Sequence, residues 1–367
     1  MVRVAFLVAP FKAHMVRKMA MEFTSQVEYS IVTPRYPLPQ AEWSRMRFTE
    51  KLDEKLLGGS SVRGVVRKYK PDLVYSDVPL YASQLEMVSL ITAKRVPFVL
   101  HLRGDLWREH WAAIASAPIR KRLLLMQQYA YNWNAVALAS NVTPICRWLQ
   151  AVVRHYVPWK RSEVVYQGVD ANEFRPQEGF DALRPSVAII QNHSIFPKVQ
   201  GLLSFKNVVE RLPGIHFYIT EGEAWAQNFL GLVKEHYAGI PNVHFIKDVN
   251  TVGAVSRLLT ACDCYVLASG LDCCPTTVLE ASLLEKPVLA SRVGGVPEII
   301  VNGYTGWSID NGNIDEWVEK IQLLVNDARL CRKMGRQGRE WVAERFGWPS
   351  IAGQVERLIL DECIRKR

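Results

Sequence analysis

Short apolar, β-branched runs alternate along this chain with longer stretches in which apolar residues return every third or fourth position. The short runs read as strands and the longer stretches as amphipathic helices. In the first half the strand candidates are "VRVAFLVAP", "VEYSIVTP", "PDLVYSD", "PFVLHL", "AVALAS" and "SEVVYQGV". In the second half they are "PSVAIIQN", "HFYITEG", "VHFIKD", "DCYVLAS" and "PVLAS", and helical period is clear in "APIRKRLLLMQQYAYNW" and "NIDEWVEKIQLLVND". Such alternation predicts βαβ units and parallel sheets covered by helices on both faces.

The pattern restarts at residue 186, after "VVYQGVDANEFRPQEGFDALRPS", a stretch of turn formers that reads as a linker with the boundary near 170–185. A chain of 367 residues suits two cores rather than one. The expectation is an α/β protein of two doubly wound Rossmann-like domains facing across a cleft. Residues 1–170 form the first and residues 171–346 the second, with 347–367 reading as a further helix. Ligands of open α/β sheets bind beyond the carboxyl ends of the strands, so functional residues are sought in the loops that follow strands.

No window approaches the roughly 18–20 uninterrupted apolar residues of a membrane span. The N-terminal "MVRVAFLVAPFKAHMVRKMA" has one short apolar run and then turns basic, which reads as a first strand and helix rather than a cleaved signal. Seven cysteines, an odd number with two adjacent, fit a reducing compartment and a cytoplasmic location. Cys262, Cys264, Cys273 and Cys274 lack paired C-x2-C knuckles, so they are read as buried thiols and no metal site is expected.

The net charge of +9 is unevenly spread. Residues 1–168 hold 24 Lys and Arg against 12 Asp and Glu, a net +12; residues 169–367 hold 21 against 24, a net −3. A basic first half suggests an anionic partner, namely a phosphorylated acceptor, a membrane surface or nucleic acid, or a surface charged for solubility.

The strand "DCYVLAS" ends at Ser269, "GLDCCP" is the loop beyond it, and "TTVLEASLLE" starts a helix with Thr276 or Thr277 as its cap. The free N–H groups and positive end of such a helix form a site for phosphate oxygens. Glu280, read in the first turn, would repel a phosphate but would accept hydrogen bonds from sugar hydroxyls one step further along a ligand. Asp272 in the loop plays the matching part on the other side. The ligand implied is a sugar, a phosphate or diphosphate, and a second sugar.

In "QNHSIFPKVQGLLSF", Lys198 before a helix start is placed to meet a diphosphate as a point charge. In "VGGVPEII", Gly294 and Gly295 permit positive φ and close approach of backbone to ligand. In "VPFVLHLRGDLWREHW", His101 ends a strand with Arg103 and Asp105 beyond it. The imidazole is placed to bond a reacting sugar and the guanidinium a phosphate.

"SGLDCCPTTVLEASLLEKPVLASRVGGVPEIIVNGYTGW" resembles the donor-site signature of the family 4 glycosyltransferases, retaining enzymes of the GT-B fold whose motif is two Glu residues separated by seven others. Asp272 stands in the place of the first Glu, and Glu280 is the second. The resemblance continues through "VVYQGVDANEFRP" and "MGRQGREWVAERFGW". In residues 1–160 it rests mainly on domain pattern and "PFVLHLRGD". It implies that Glu280 binds a nucleotide ribose and Asp272 the donor sugar hydroxyls, with the "VGGV" loop near a phosphate. It also places His193 where the family commonly has Arg. The first loop, "APFKAHMVRKMA", has Lys12 and His14 where the family usually has two glycines, and these join Arg103 and Asp105 as acceptor-side candidates.

The resulting expectation is a metal-independent, retaining transfer of a hexose-type sugar from a nucleoside-diphosphate sugar, a co-substrate rather than a cofactor. The acceptor would be a glycan, lipid-linked or phosphorylated, held by the basic first domain. "WSRMRF", "RGVVRKYK" and "VPWKR" offer aromatics and cations for peripheral contact with an anionic membrane at its cytoplasmic face. Two alternatives stand beside it, a GT-B epimerase or phosphorylase and a basic nucleic-acid-binding protein. The latter has no RNP, zinc-finger or helix-turn-helix signature, so no nucleic-acid partner is expected.

Overall fold

The structure, a computed structural model, describes residues 1–8, 13–24, 26–32, 70–76, 96–222 and 227–365. The chain divides into two units, one of residues 1–168 with 348–367 and one of residues 169–347.

The first unit contains β1 (Val2–Leu7), α1 (Ala13–Met21), β2 (Val27–Val32), β3 (Leu73–Ser76), β4 (Phe98–Leu102), α2 (Leu106–Ser116), α3 (Ile119–Leu138), β5 (Asn141–Pro144), α4 (Arg147–Tyr156) and α11 (Trp348–Arg365). Its sheet runs β2-β1-β3-β4-β5 with every pairing parallel. β1, β3 and β4 read as near-continuous apolar runs because helices cover both faces. On one face Val4, Phe6, Tyr75 and Val99 pack with Val16 and Met19 of α1 and with Trp348, Ile351, Val355 and Ile359 of α11. Burying each such side chain contributes about 1.5–3 kcal/mol.

Polar contacts fix where α11 sits. Glu356 accepts bonds from the backbone N–H and the hydroxyl of Thr24, at 2.9 and 2.6 Å. Glu362 accepts from the Asn141 amide at 3.2 Å and pairs with Arg161. Gly168 leaves room for the Trp348 ring, since a Cβ there would lie 2.1 Å from it.

Two strand expectations in this unit are corrected. "AVALAS" forms the end of α3, because Ala135, Val136 and Ala139 continue the helical spacing and bury one side of it; the strand that follows is β5. "SEVVYQGV" makes only isolated bridges, Ser162 to Val142 and Val169 to Gly347, with the Glu163 and Val165 amides donating to Val142 and Pro144.

The second unit contains β6 (Ser186–Ile189), α5 (Phe196–Glu210), β7 (His216–Thr220), α6 (Leu230–His236), β8 (Val243–Ile246), α7 (Val252–Ala261), β9 (Cys264–Leu267), α8 (Thr276–Leu283), β10 (Val288–Ser291), a 3-10 turn at Val296–Glu298, β11 (Gly306–Ile309), α9 (Ile314–Asn326) and α10 (Ala328–Phe346). The parallel order is β11-β10-β9-β6-β7-β8. The strand β11, which starts on a glycine and is part polar, was absent from the expected set. Sequence order runs outward in both directions from the β6–β9 pair, so the loops after β6 and β9 diverge to opposite faces and leave a crevice at their carboxyl ends. Beneath it Val187, Ile189, Phe205, Phe217, Val266 and Trp317 belong to one core.

Candidate functional site

The β6–β9 switch point is where the sequence candidates of the second unit meet. Two glycines set the approach. A Cβ on Gly201 of α5 would lie 2.4 Å from the Ser269 carbonyl carbon, and one on Gly270 would lie 2.4 Å from the Pro197 oxygen. Without side chains there, the first turn of α5 rests directly on the loop after β9. That contact carries the Lys198 ammonium to 3.9 Å from the Asp272 carboxylate. Lys198 sits inside the first turn of α5 rather than before it.

A third loop joins at the same point. Gly294, at φ +51°, turns the chain after β10, and the Gly295 N–H then donates to the Asp272 carbonyl at 3.2 Å. Of the two glycines only Gly294 has positive φ; Gly295 is at φ −91° and starts the 3-10 turn. The loop after β9 is tied down beneath: Ser291 Oγ accepts from the Ser269 N–H at 2.9 Å, and the Asn311 amide donates to the Ser269 carbonyl at 2.9 Å.

The start of α8 differs from the expectation. Neither Thr276 nor Thr277 is its cap. Pro275 holds that position and no side chain caps the helix, because Thr276 already has helical backbone. Thr277 is turned instead toward the Tyr265 hydroxyl, 2.7 Å away, which also lies 3.0 Å from the Ile190 carbonyl. The N–H groups of the first turn are therefore not satisfied by a side-chain cap, the arrangement that suits an anion. Glu280 lies in the second turn, not the first, one turn below Thr276 on the same face, and is buried.

His193 follows β6, but not as a cation. It is fully buried, and its Nε2 lies 2.8 Å from the Thr220 carbonyl. Donation to that oxygen leaves Nδ1 unprotonated, and Nδ1 finds no hydrogen-bond partner among the described residues. Burial pushes the imidazole below its ordinary pKa, against smaller opposing effects of the Thr220 bond and of Glu221. It therefore supplies a neutral ring where a family Arg would supply charge.

In the first unit His101 is a member of β4 rather than a residue at its end, and it is buried. Its Nδ1 is 3.1 Å from Thr143 Oγ1, which lies 3.2 Å from the Tyr75 hydroxyl. Arg103 follows the strand and donates to the Gln167 side chain. Tyr75, His101, Arg103 and Gln167 share one small opening with Met15 and Trp348. Tyr75 and Gln167 gave no sequence signal; a tyrosine inside "PDLVYSD" reads as core.

Asp105 is not an acceptor-side residue. It is fully buried as the cap of α2, accepting from the N–H groups of Trp107 and Arg108 at 3.1 and 3.0 Å. Lys12 and the side chain of His14 lie outside the described residues, as do "WSRMRF" and all but the last residue of "RGVVRKYK". "VPWKR" offers less than expected: Lys160 donates to the Ala139 carbonyl at 2.5 Å and Arg161 pairs with Glu362, leaving Trp159 exposed.

Cys262, Cys264, Cys273 and Cys274 are buried thiols, and no group of three His, Cys, Asp or Glu able to hold a metal occurs among the described residues. Burial pushes the Cys262 thiol up to about 12 and Cys264 well above its ordinary value.

Two parallel Rossmann-like units define the GT-B class, and comparison with known proteins agrees. The chain is similar throughout to sucrose-phosphate synthase from Thermosynechococcus elongatus, with TM-score 0.73 and 16% identity over 98% of this chain and 99% of that one. It is similar to Anabaena Alr3699/HepE, solved in complex with UDP-glucose, with TM-score 0.71 and 16% identity over 98% and 100%. At such identity these likenesses concern the fold. Residues 200–341 match the family model described as glycosyl transferases group 1. N-acetyl-alpha-D-glucosaminyl L-malate synthase of Bacillus anthracis is 28% identical over 203 residues, 54% of this chain and 51% of that protein. Alpha-maltose-1-phosphate synthase of Mycobacterium tuberculosis is 31% identical over 128 residues, 33% of each. The chain thus spans about half the length, or less, of these curated relatives. By these matches and its fold, the chain is similar to the family 4-like glycosyltransferases.

Proposed function

We propose that the protein transfers a hexose-type sugar from a nucleoside-diphosphate sugar to an acceptor hydroxyl, with retention at the anomeric carbon and without a metal ion. The observation that carries this reading is the meeting of Lys198, Asp272 and the uncapped start of α8 at the β6–β9 switch point. In the transfer the bond from the anomeric carbon to the diphosphate breaks and one to the acceptor oxygen forms on the same face. The acceptor proton leaves on the departing phosphate. Charge grows on the diphosphate oxygens, so preorganised positive groups aimed at them lower the barrier. Lys198 and the first-turn N–H groups of α8 supply these, while Asp272 and Glu280 accept bonds from sugar hydroxyls on either side. Asp272 also holds Lys198 before the donor arrives.

His101 and Arg103, in the opening of the first unit, would contact the reacting sugar and a phosphorylated or lipid-linked acceptor at the cytoplasmic face of a membrane. A neighbour of the same fold was solved with UDP-glucose, so a UDP-sugar leads the test. Calorimetry with UDP-, GDP- and ADP-sugars in the presence of EDTA is expected to give micromolar binding to one base class, lost in Glu280→Ala with the fold intact. Binding only when metal is restored, or equal binding by Glu280→Ala, overturns the assignment. Sugar turnover without any acceptor would indicate an epimerase or phosphorylase instead.

A further inference from the structure

The first turns of α3 present large apolar side chains to solvent. Ile119, Leu123 and Met126, at i, i+4 and i+7, form one stripe and are 81%, 69% and 51% exposed. Leu124 beside them is 55% exposed, and Trp111 of α2, whose ring stands 5.5 Å from that of Tyr129, is 53% exposed. Scattered apolar residues on a surface are ordinary, but four large ones within residues 119–126 of one helix are not. The later half of α3 explains the projection: Ala135 and Val136 are buried and Asn132 meets His110 of α2 at 3.1 Å, so among the described residues the buried packing falls in that half.

Charge surrounds the stripe. At 3.6 residues per turn Arg120 and Arg122 fall on its two flanks, with Lys121 on the far side. Arg122 is held at the α2–α3 corner by donating to the Ala117 carbonyl at 3.0 Å. From residue 110 to residue 162 the sequence has no Asp or Glu and seven Lys and Arg.

We infer that this corner docks on an anionic lipid surface, α3 lying in the interface with Ile119, Leu123 and Met126 among the acyl chains and Arg120 and Arg122 at the headgroups. An apolar stripe bordered by cations is the pattern of an interfacial helix. With three cations in its first four residues α3 lies on a bilayer rather than through it; no helix among the described residues is long and apolar enough to cross one. A second copy is a poorer occupant, because a twofold contact would set these cations against their own images. A nucleic acid would leave the aliphatic stripe unused. The inference deepens the membrane-face placement in the proposed function by naming the surface that would dock, while its observations and its vesicle test are independent of the donor-site assignment.

Co-sedimentation of the full chain tests it, using vesicles of phosphatidylcholine alone and of equal parts phosphatidylcholine and phosphatidylglycerol. Binding to the anionic vesicles is expected, weaker in high salt and weaker on neutral vesicles. Leu123→Glu/Met126→Glu should lower partition by at least about tenfold and Arg120→Gln by roughly fivefold, while Lys121→Gln, on the far side of the helix, should change it little, with unchanged circular dichroism because all four residues are exposed. Absence of binding to anionic vesicles overturns the inference, as does equal partition by the double variant. A concentration-dependent dimer abolished by Leu123→Glu/Met126→Glu, with no vesicle binding, assigns the patch to self-association and also overturns it.

Discussion

The ammonium of Lys198 stands 3.9 Å from the carboxylate of Asp272, although the two follow different strands of the second sheet. The pair spans the switch point between β6 and β9, with the uncapped end of α8 beside it. A 3.9 Å pair of partly exposed groups contributes little to stability, about 0–1 kcal/mol. Its significance is placement of a cation where a diphosphate would lie.

Lys198→Met is therefore expected to weaken nucleotide-sugar binding by on the order of tenfold to a hundredfold, the worth of a charge-assisted hydrogen bond. The melting temperature should barely move. Calorimetry and a thermal melt on the same preparation separate the two effects. A large loss of stability would make the residue structural.

The approach of α5 to the β9 loop predicts a second outcome. Gly201→Ala puts a Cβ against the Ser269 backbone, which cannot rotate away as a side chain would. Destabilisation of about 1–3 kcal/mol is expected, together with weaker donor binding as Lys198 moves from Asp272. Gly214→Ala, where an added Cβ meets nothing within 4 Å, is the control.

His193 makes stability depend on pH. In the unfolded chain its imidazole titrates near 6.5, and in the folded protein burial holds it lower. As pH falls through 6.5 the unfolded state takes up a proton that the folded state refuses, so stability present above that pH is lost below it. His110 and His244 are lowered in the same direction, also by burial. Urea midpoints should drop on acidification below about pH 6.5, with a shallower drop in His193→Gln. An unchanged slope in that variant would contradict a neutral buried ring.

The buried thiols make a fourth prediction. Cys262, pushed up to about 12, and Cys264 stay protonated and enclosed in the folded protein. A thiol reagent at mildly alkaline pH should label them only after unfolding, as peptide mapping would show. Rapid native labelling of either would contradict their burial.

Local pattern carried the architecture. The runs "VRVAFL", "SVAI" and "CYVL" are apolar on both sides because both sheet faces are covered, and that is visible one strand at a time. Where the pattern failed, the competing element was equally local: "AVALAS" has strand-like residues, but their spacing continues a helix already under way. The Asp272–Glu280 spacing and Lys198 marked the second-unit candidates.

What only the tertiary structure decided concerns partners distant in sequence. That His193 is neutral follows from its burial and from the Thr220 carbonyl; that Asp105 is a cap follows from where α2 begins. Tyr75, Gln167, Gly201 and Gly270 acquire their places from strand order and close backbone approach, which a single-chain pattern does not encode. Periodicity reports which way each residue faces within its own element, and so the sequence alone determined two parallel α/β units with candidate chemistry after their strands. Which of those residues meet, and in what charge state, depends on contacts between elements, and only the assembled fold decided it.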